Sequence, residues 1–159
     1  MQTKTLTEFK PTDTLYKKVI KATYYQINHP NPGSKFEEVY EQIKHLPDET
    51  KMAVLLQAGN NILFGYEGDN LLGLFAYQQH EDGWHMFRAW VMPEHRKKGH
   101  IWPLTKKYLE HTRENCPQKR TRLSQGNDET LIRIVDMLHK HQDHLKLKVD
   151  KETYWVETP

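Results

Sequence analysis

From Ile62 onward the apolar residues stop recurring at helical spacing and take up the shorter period of strands, with a tight turn after each run. "ILFGY", the turn "EGDN" and "LLGLFAYQ" read as a hairpin, and "HEDG" (His80 to Gly83) turns the chain again into "WHMFRAWVM". Three strands joined so closely form a meander, so the middle of the chain is committed to a sheet. Before it, Thr12 or Asp13 can cap a helix carrying Leu15, Val19, Ala22 and Ile27. "NHPNPGS" (Asn28 to Ser34) is a loop by composition, and Ser34 with Glu37 fits a capping box for a second helix bearing Phe36, Val39, Tyr40 and Ile43. "TKTLTEF" (Thr3 to Phe9) alternates as a short strand does, and "KMAVLLQA" (Lys51 to Ala58) suits helix or strand equally.

After the meander the periods alternate. A helix is expected to about Asn115, then the strand "KRTRLS", then a helix with Leu131, Ile134, Val135 and Leu138 on one stripe, and finally "LKLKV" and "TYWVE" as strands. The pattern predicts one α/β (α+β) domain over residues 1–159, a central mixed, mostly antiparallel sheet flanked by about four helices. The length of 159 residues suits one core. Lysine and arginine nearly cancel aspartate and glutamate, leaving +2, which is too balanced for a dedicated duplex-DNA binder. Cys116 is the only cysteine, so no intrachain disulfide can form and a reducing, cytoplasmic setting is expected. "MQTKTLTEFK" lacks the apolar stretch of a signal peptide, and no run is long enough to span a bilayer, so neither membrane nor nucleic acid is an expected partner.

The meander ends in "WVMPEHRKKGHIWPL", Trp90 to Leu104. In a strand–turn–helix unit the first helical N–H groups are unpaired, and the helix dipole adds partial positive charge beside them. Arg96, Lys97 and Lys98 supply formal charge, Gly99 permits close backbone approach, and Pro103 fits a first helical turn. Such a turn can cradle a pyrophosphate, and it can equally be a solvated charged loop.

The order of elements and the matches Val91, Pro93, Glu94, Arg96, Gly99 and Leu104 resemble the GNAT superfamily of acyl-CoA-dependent N-acyltransferases, whose fourth strand ends in V-x-P-E-x-R-x-x-G-x-(G/A)-x-x-L. "EGDNLLGLFAY", with Gly73, resembles the family's second and third strands, and Asn127 resembles the asparagine opening its second cofactor motif. The resemblance runs from about Ile62 to Lys140, and "TLTEFKPTDTLYKKV" is also similar to the family's N-terminus.

It implies acetyl-CoA as co-substrate, with the pantetheine arm paired to Trp90, Val91 and Met92, the pyrophosphate held by the backbone from Arg96 through Lys97, Lys98, Gly99 and His100 to Ile101, and Asn127 near the arm. It also implies a primary amine of a small molecule or protein as acceptor, acylated by direct attack, and admits a homodimer. The glutamate that some members place eleven residues before the motif arginine falls here on His85, a candidate general base whose unperturbed pKa of about 6.5 suits neutral pH. As a plain strand residue beside Trp84, His85 also needs no function. Two positions depart from the family. Ile101 stands where glycine or alanine is usual, and would either crowd the pyrophosphate or pack under the helix. The helix after Asn127 lacks the tyrosine that protonates the leaving thiolate in many members; its position falls near Ile134. These departures keep a second expectation open, a catalytically inactive protein of this fold acting as a binding or structural component.

Outside this unit, "HKHQDH" gathers His139, His141 and His144 beside Asp143, but no two of the histidines stand at i and i+4, so a solvated helix end is expected and no metal site. Trp102 beside the basic turn could flank an adenine. Glu37, Glu38 and Glu41, after the "NHPNPG" loop, could attract an amine or face water.

Overall fold

The computed structural model describes residues 1–123 and 129–159, so Asn127 lies outside the described residues. The chain opens with β1 (Gln2–Thr5), shorter than the alternating pattern suggested because Leu6–Glu8 form a turn of 3-10 helix closed by the Glu8 carboxylate, which accepts from the Thr5 N–H at 2.9 Å. Helix α1 spans Tyr16–Asn28 and starts without a side-chain cap, at Leu15. Asp13, expected as a cap, instead accepts from the Lys10 N–H at 2.8 Å and shapes the turn before the helix. Helix α2 (Lys35–Ile43) is capped by Ser34, whose Oγ accepts from the Glu37 N–H at 3.2 Å, while Glu37 reaches back to the Gly33 N–H rather than to Ser34.

The ambiguous stretch is helix α3 (Asp48–Gln57), with Pro47 before it and two carboxylates in its first turn. The meander follows as β2 (Asn60–Glu67), β3 (Asn70–His80) and β4 (Gly83–Val91), joined by two-residue turns. Then come α4 (Ile101–Asn115), β5 (Arg120–Arg122), α5 (Glu129–Lys140), the short α6 (Gln142–Leu145), β6 (Lys148–Val149) and β7 (Trp155–Glu157). The described residues thus hold six helices where about four were expected; α3 and α6 are the additions.

All seven strands form one sheet in the order β1-β2-β3-β4-β5-β7-β6, antiparallel throughout except for β4 with β5. Strand alternation sends each side of the meander to a different layer. Leu63, Phe75, Trp84 and Met86 join Leu104, Tyr108 and the α5 stripe (Leu131, Ile134, Val135, Leu138) in the larger core. Ile62, Phe64, Leu74 and Ala76 pack with Leu15, Val19 and Ala22 of α1 on the opposite face. Cys116, at the end of α4, is buried in the larger core.

Three details position the end of β4. Gly73 of β3 lies so close beneath it that an added Cβ would sit 2.6 Å from the Trp90 carbonyl oxygen and 3.0 Å from Leu104. The β3–β4 register shifts between Ala76 and Tyr77, which pair with Arg88 and Met86, so Phe87 is an extra, bulged residue. The parallel pairing of β4 with β5 extends only over Trp84 with Thr121 and His85 with Arg122, after which the Leu123 N–H turns to the Tyr154 carbonyl at 3.0 Å. Beyond His85, β5 therefore leaves the edge of β4. The run Val91–Leu104 lies beyond that point.

Gly73→Ala forces β4 away from β3 and costs about 1–3 kcal/mol, as overpacking does, read as a lowered urea midpoint. On the same face of β3, nearer its other end, Tyr77 donates to or accepts from His111 Nε2 at 2.9 Å, and burial lowers the pKa of His111 against the pull of Glu8 and Glu114. A depressed histidine pKa means the unfolded chain binds more protons below about pH 6.5, so stability falls as pH drops through that value. His111→Gln makes the fall between pH 7.5 and pH 5.5 shallower, measured by urea unfolding across that range.

Candidate active site

The bulge at Phe87 fixes which side chains leave β4 toward α1 and α2. His85, Phe87 and Arg88 all line a cavity of about 300 Å³ between that face of the sheet and helices α1, α2 and α3. Phe87 stacks on Phe36 of α2 with ring centres 5.5 Å apart, and Ile27, Leu55 and Ile62 complete an apolar wall. Arg88 donates from Nη1 to Asn31 Oδ1 at 2.6 Å and to the His29 carbonyl at 3.2 Å, tying the loop after α1 to the sheet. Gln26 of α1, only 7% exposed, also lines the cavity, and its Oε1 is buried without a hydrogen-bond partner among the described residues.

His85 has a built environment. Its Nε2 lies 2.8 Å from Asp82 Oδ1, across the turn that opens β4. An ionised carboxylate can only accept, so Nε2 carries a proton, and in the neutral form of the ring Nδ1 keeps its lone pair. Burial pushes the Asp82 carboxyl up, but the hydrogen bond and charge of His85 outweigh it and hold the group below its usual value. His80 stacks on His85 with centres 4.0 Å apart, and Trp155 meets His85 edge-on at 5.4 Å. Burial, aided by the nearby charges of His85 and Lys35 and opposed by Asp82, lowers the pKa of His80.

The backbone at the end of β4 is divided between two sides. The Met92 N–H donates to the Leu72 carbonyl of β3 at 2.8 Å. By strand alternation the Val91 peptide groups face the other way, toward the side that β5 has left. The Val91 carbonyl accepts from Arg96 Nε at 2.9 Å. The Arg96 guanidinium lies 4.5 Å from the Trp90 ring centre and that of Arg88 lies 4.9 Å from it, with Tyr25 tilted against the same indole at 5.7 Å. Arg96 is thus folded back on the strand end, a partner that the bare motif does not reveal.

After the 3-10 turn Pro93–His95, the chain takes positive φ at Lys97 (63°) and again at Gly99 (78°), and α4 begins at Ile101 without a side-chain cap. Left-handed residues set among right-handed ones turn successive N–H groups toward one concavity, and an uncapped helix start adds its own donors. A Cβ at Gly99 would meet open space, so that position is set by its φ and not by crowding. Arg96, Lys97, Lys98 and Gly99 are exposed, and His100 is half-buried. Ile101 packs against the larger core with Trp102, so its side chain lies under the helix. Trp102 also carries Lys106 over its ring at 5.9 Å.

Several expected residues are elsewhere. Glu37 serves the Gly33 N–H, Glu41 pairs with Lys44 at 2.6 Å, and neither they nor Glu38 are among the described residues lining the cavity. Ile134, where the family's tyrosine would fall, is buried in the core. Among the described residues no group of three or more histidine, cysteine, aspartate or glutamate side chains could hold a metal ion, and no helix is long and apolar enough to cross a membrane.

Sequence reasoning weighed Asp82, with Glu81, as a lesser general-base candidate and otherwise a turn former, and passed over His80, Arg88 and Gln26. The two-residue turn does carry the signal for the first, because it brings Asp82 back beside His85 three positions on. Nothing in the sequence marks Gln26, whose role depends on the facing sheet.

No family model and no curated protein matches the chain. Solved structures are similar to it. An N-acetyltransferase from Thermoplasma acidophilum, in complex with coenzyme A, is 11% identical, covers all of this chain and is itself wholly covered, with a TM-score of 0.48. A proposed acetyltransferase of the GNAT family from Desulfovibrio desulfuricans is 11% identical over 94% of this chain and 86% of its own, with a TM-score of 0.49. Tetrahymena GCN5 is 10% identical over 76% of this chain and 68% of its own, with a TM-score of 0.46.

Arg96→Ala removes both the bond to the Val91 carbonyl and the cation over Trp90. It costs about 0.5–1 kcal/mol, the worth of an exposed cation–π pair, read by urea unfolding, and it red-shifts tryptophan emission as Trp90 gains water.

Proposed function

We propose that this protein is an N-acyltransferase that takes an acetyl group from acetyl-CoA and passes it to a primary amine held in the cavity beneath β4. The observation that carries this reading is the meeting at one strand of three features. They are a cavity lined by an oriented histidine, a β4 edge that β5 leaves after two residues, and a cationic turn with left-handed backbone at Lys97 and Gly99. The motif Val91–Leu104 runs through the last two.

The residues present fit the co-substrate. The N–H groups of the Lys97–Ile101 turn and the start of α4 suit a pyrophosphate, with Lys97 and Lys98 supplying charge. Because Ile101 packs into the core, it leaves that concavity open. Arg96, spent on Trp90 and the Val91 carbonyl, holds the turn in place. The Val91 N–H, without a partner among the described residues, is the donor suited to pair with an extended amide-bearing arm. Trp90 and Met92 support that edge from the side of α1 and β3.

His85 works on the acceptor. Asp82 fixes its Nε2–H, so Nδ1 receives a proton from the ammonium, directly or through one water. The freed amine attacks the thioester carbonyl, the N–C bond forms, the C–S bond breaks and the thiolate leaves, with a β4 N–H placed to stabilise negative charge on the carbonyl oxygen. No tyrosine of α5 is available to protonate the thiolate, so water does so or it departs unassisted. Cys116 is buried at the far end of α4 and takes no part.

Titration calorimetry of acetyl-CoA into the protein tests the first half. Binding is expected, and Gly99→Glu abolishes it by adding both a side chain in a left-handed position and a negative charge. His85→Gln lowers kcat/KM for amine acetylation by roughly 10²–10⁴-fold, the share of a general base, with acetyl-CoA affinity retained. Binding without turnover over a broad amine set would favour the inactive member of the fold. No binding at millimolar acetyl-CoA would end the reading.

A further inference from the structure

We infer that the acceptor is a primary amine on a small apolar body, a branched aliphatic chain or a single aromatic ring, and that this body packs under α2 and completes the apolar stripe of that helix. The role of the amine rests on the acyltransferase reading, and the identity of the body rests on the cavity alone.

Helix α2 carries more apolar surface than the fold covers. Phe36, Val39, Tyr40 and Ile43 recur on one stripe of it. Ile43 is buried, in a cluster with Ile27 of α1 and Leu55 of α3. Tyr40 lies under Lys51, whose Nζ is 5.6 Å from the ring centre. The other two are less covered: Phe36 is half-buried, Val39 is 40% exposed, and both line the cavity. A helix of this kind is held mainly by the burial of its apolar stripe. The uncovered part therefore favours an apolar occupant, which gains by leaving water and buries Phe36 and Val39 in doing so.

The neighbouring helices continue this wall. Ile27 comes from α1, Met52 and Leu55 come from α3, and Phe87, stacked on Phe36, closes it from the sheet. Of the polar residues that α1 adds, Thr23 donates its hydroxyl proton to the Val19 carbonyl at 2.8 Å, and Gln26 has its Oε1 buried. The polar end of the cavity is on the sheet. His80 and His85 stack there, each held through Nε2, the first by Gln78 Oε1 at 2.9 Å and the second by Asp82 Oδ1 at 2.8 Å. Charges of both signs stand around the cavity, with Asp82 bonded to His85 and with Lys35 and Arg88 in the lining. Charge therefore does not choose the ligand, and apolar contact does. The volume of about 300 Å³ is at the small end of ligand cavities, roughly 300–1,000 Å³, which suits one ring or a short branched chain beside the amine. A polyamine or an amino sugar would bring its further polar groups against Phe36, Met52 and Leu55, where losing water costs them free energy.

The test is calorimetric titration of the whole protein with phenethylamine, isoamylamine, ethanolamine, glucosamine and spermidine, each without and with coenzyme A. Phenethylamine and isoamylamine should bind at least about tenfold more tightly than the other three, as extra carbon in an apolar pocket does. Phe36→Ala should weaken phenethylamine about tenfold and leave ethanolamine unchanged. Val39→Asn changes a position already 40% exposed, so the variant is expected to fold, and it should narrow the same preference. Circular dichroism checks the fold of both. Hydrogen exchange at the amides of Lys35–Ile43 should slow with phenethylamine and not with ethanolamine. Any of four results overturns this assignment: ethanolamine, glucosamine or spermidine binding as tightly as phenethylamine; neither apolar amine binding the folded protein at millimolar concentration; no folded variant changing the preference; or exchange in α2 unaltered by bound phenethylamine. Apolar amines that bind but are not acetylated in the presence of acetyl-CoA keep this ligand assignment and end the transferase reading. Acetylation of ethanolamine or spermidine in their place does the opposite.

Discussion

A parallel strand pair held by two residues, Trp84 against Thr121 and His85 against Arg122, sets the geometry on both sides of this sheet. A fully paired β4 would spend its remaining peptide groups on β5. Because the pairing stops, the Val91 N–H faces a side that β5 has vacated, while β3 still holds β4 rigid from the other. That rigidity depends on Gly73, where β3, the Trp90 carbonyl and Leu104 of α4 approach too closely for any side chain. An edge clamped on one side by β3 is already ordered for whatever extended segment pairs with its other side. A strand loose on both sides would have to be ordered at the moment of binding.

The bulge at Phe87 performs the complementary task for side chains. Strict alternation would send Phe87 and Arg88 to opposite faces, one into the larger core. The extra residue lets His85, Phe87 and Arg88 reach the same cavity. A guanidinium placed among Met86, Leu104 and Tyr108 would be costly to desolvate. At the mouth of the cavity it is tied to Asn31 and stacked on Trp90. Arg96 from the turn lies on the same indole, so the cavity wall and the cationic turn share one aromatic support.

The meander and its turns were legible because period-2 patterning and two-residue turns are local signals, and the same holds for the Ser34 cap and the α5 stripe. The Lys51–Ala58 segment was not, since an apolar run of that length fits either period until Pro47 and the carboxylates of its first turn are weighed. The Thr12 and Asp13 cap was misread because Asp13 found a nearer donor, the Lys10 N–H, and closed a turn one step earlier. Residues that act through the backbone, such as Gly99, were visible as a motif. Those whose meaning lies in a distant partner were not. Arg96 reads as a phosphate ligand until it is seen to lie on Trp90.

Backbone and side chains thus set separate parts of this architecture. The end of β4 and the Lys97–Ile101 turn depend on dihedral angles and close approaches that few residue types allow, a glycine at a left-handed position and another packed against the strand. The cavity is written in side chains from α1, α2, α3, β2, β3 and β4. Its exposed members can change while Gly73, Gly99 and the bulge at Phe87 stay as they are, so the lining is freer to vary than the backbone around it.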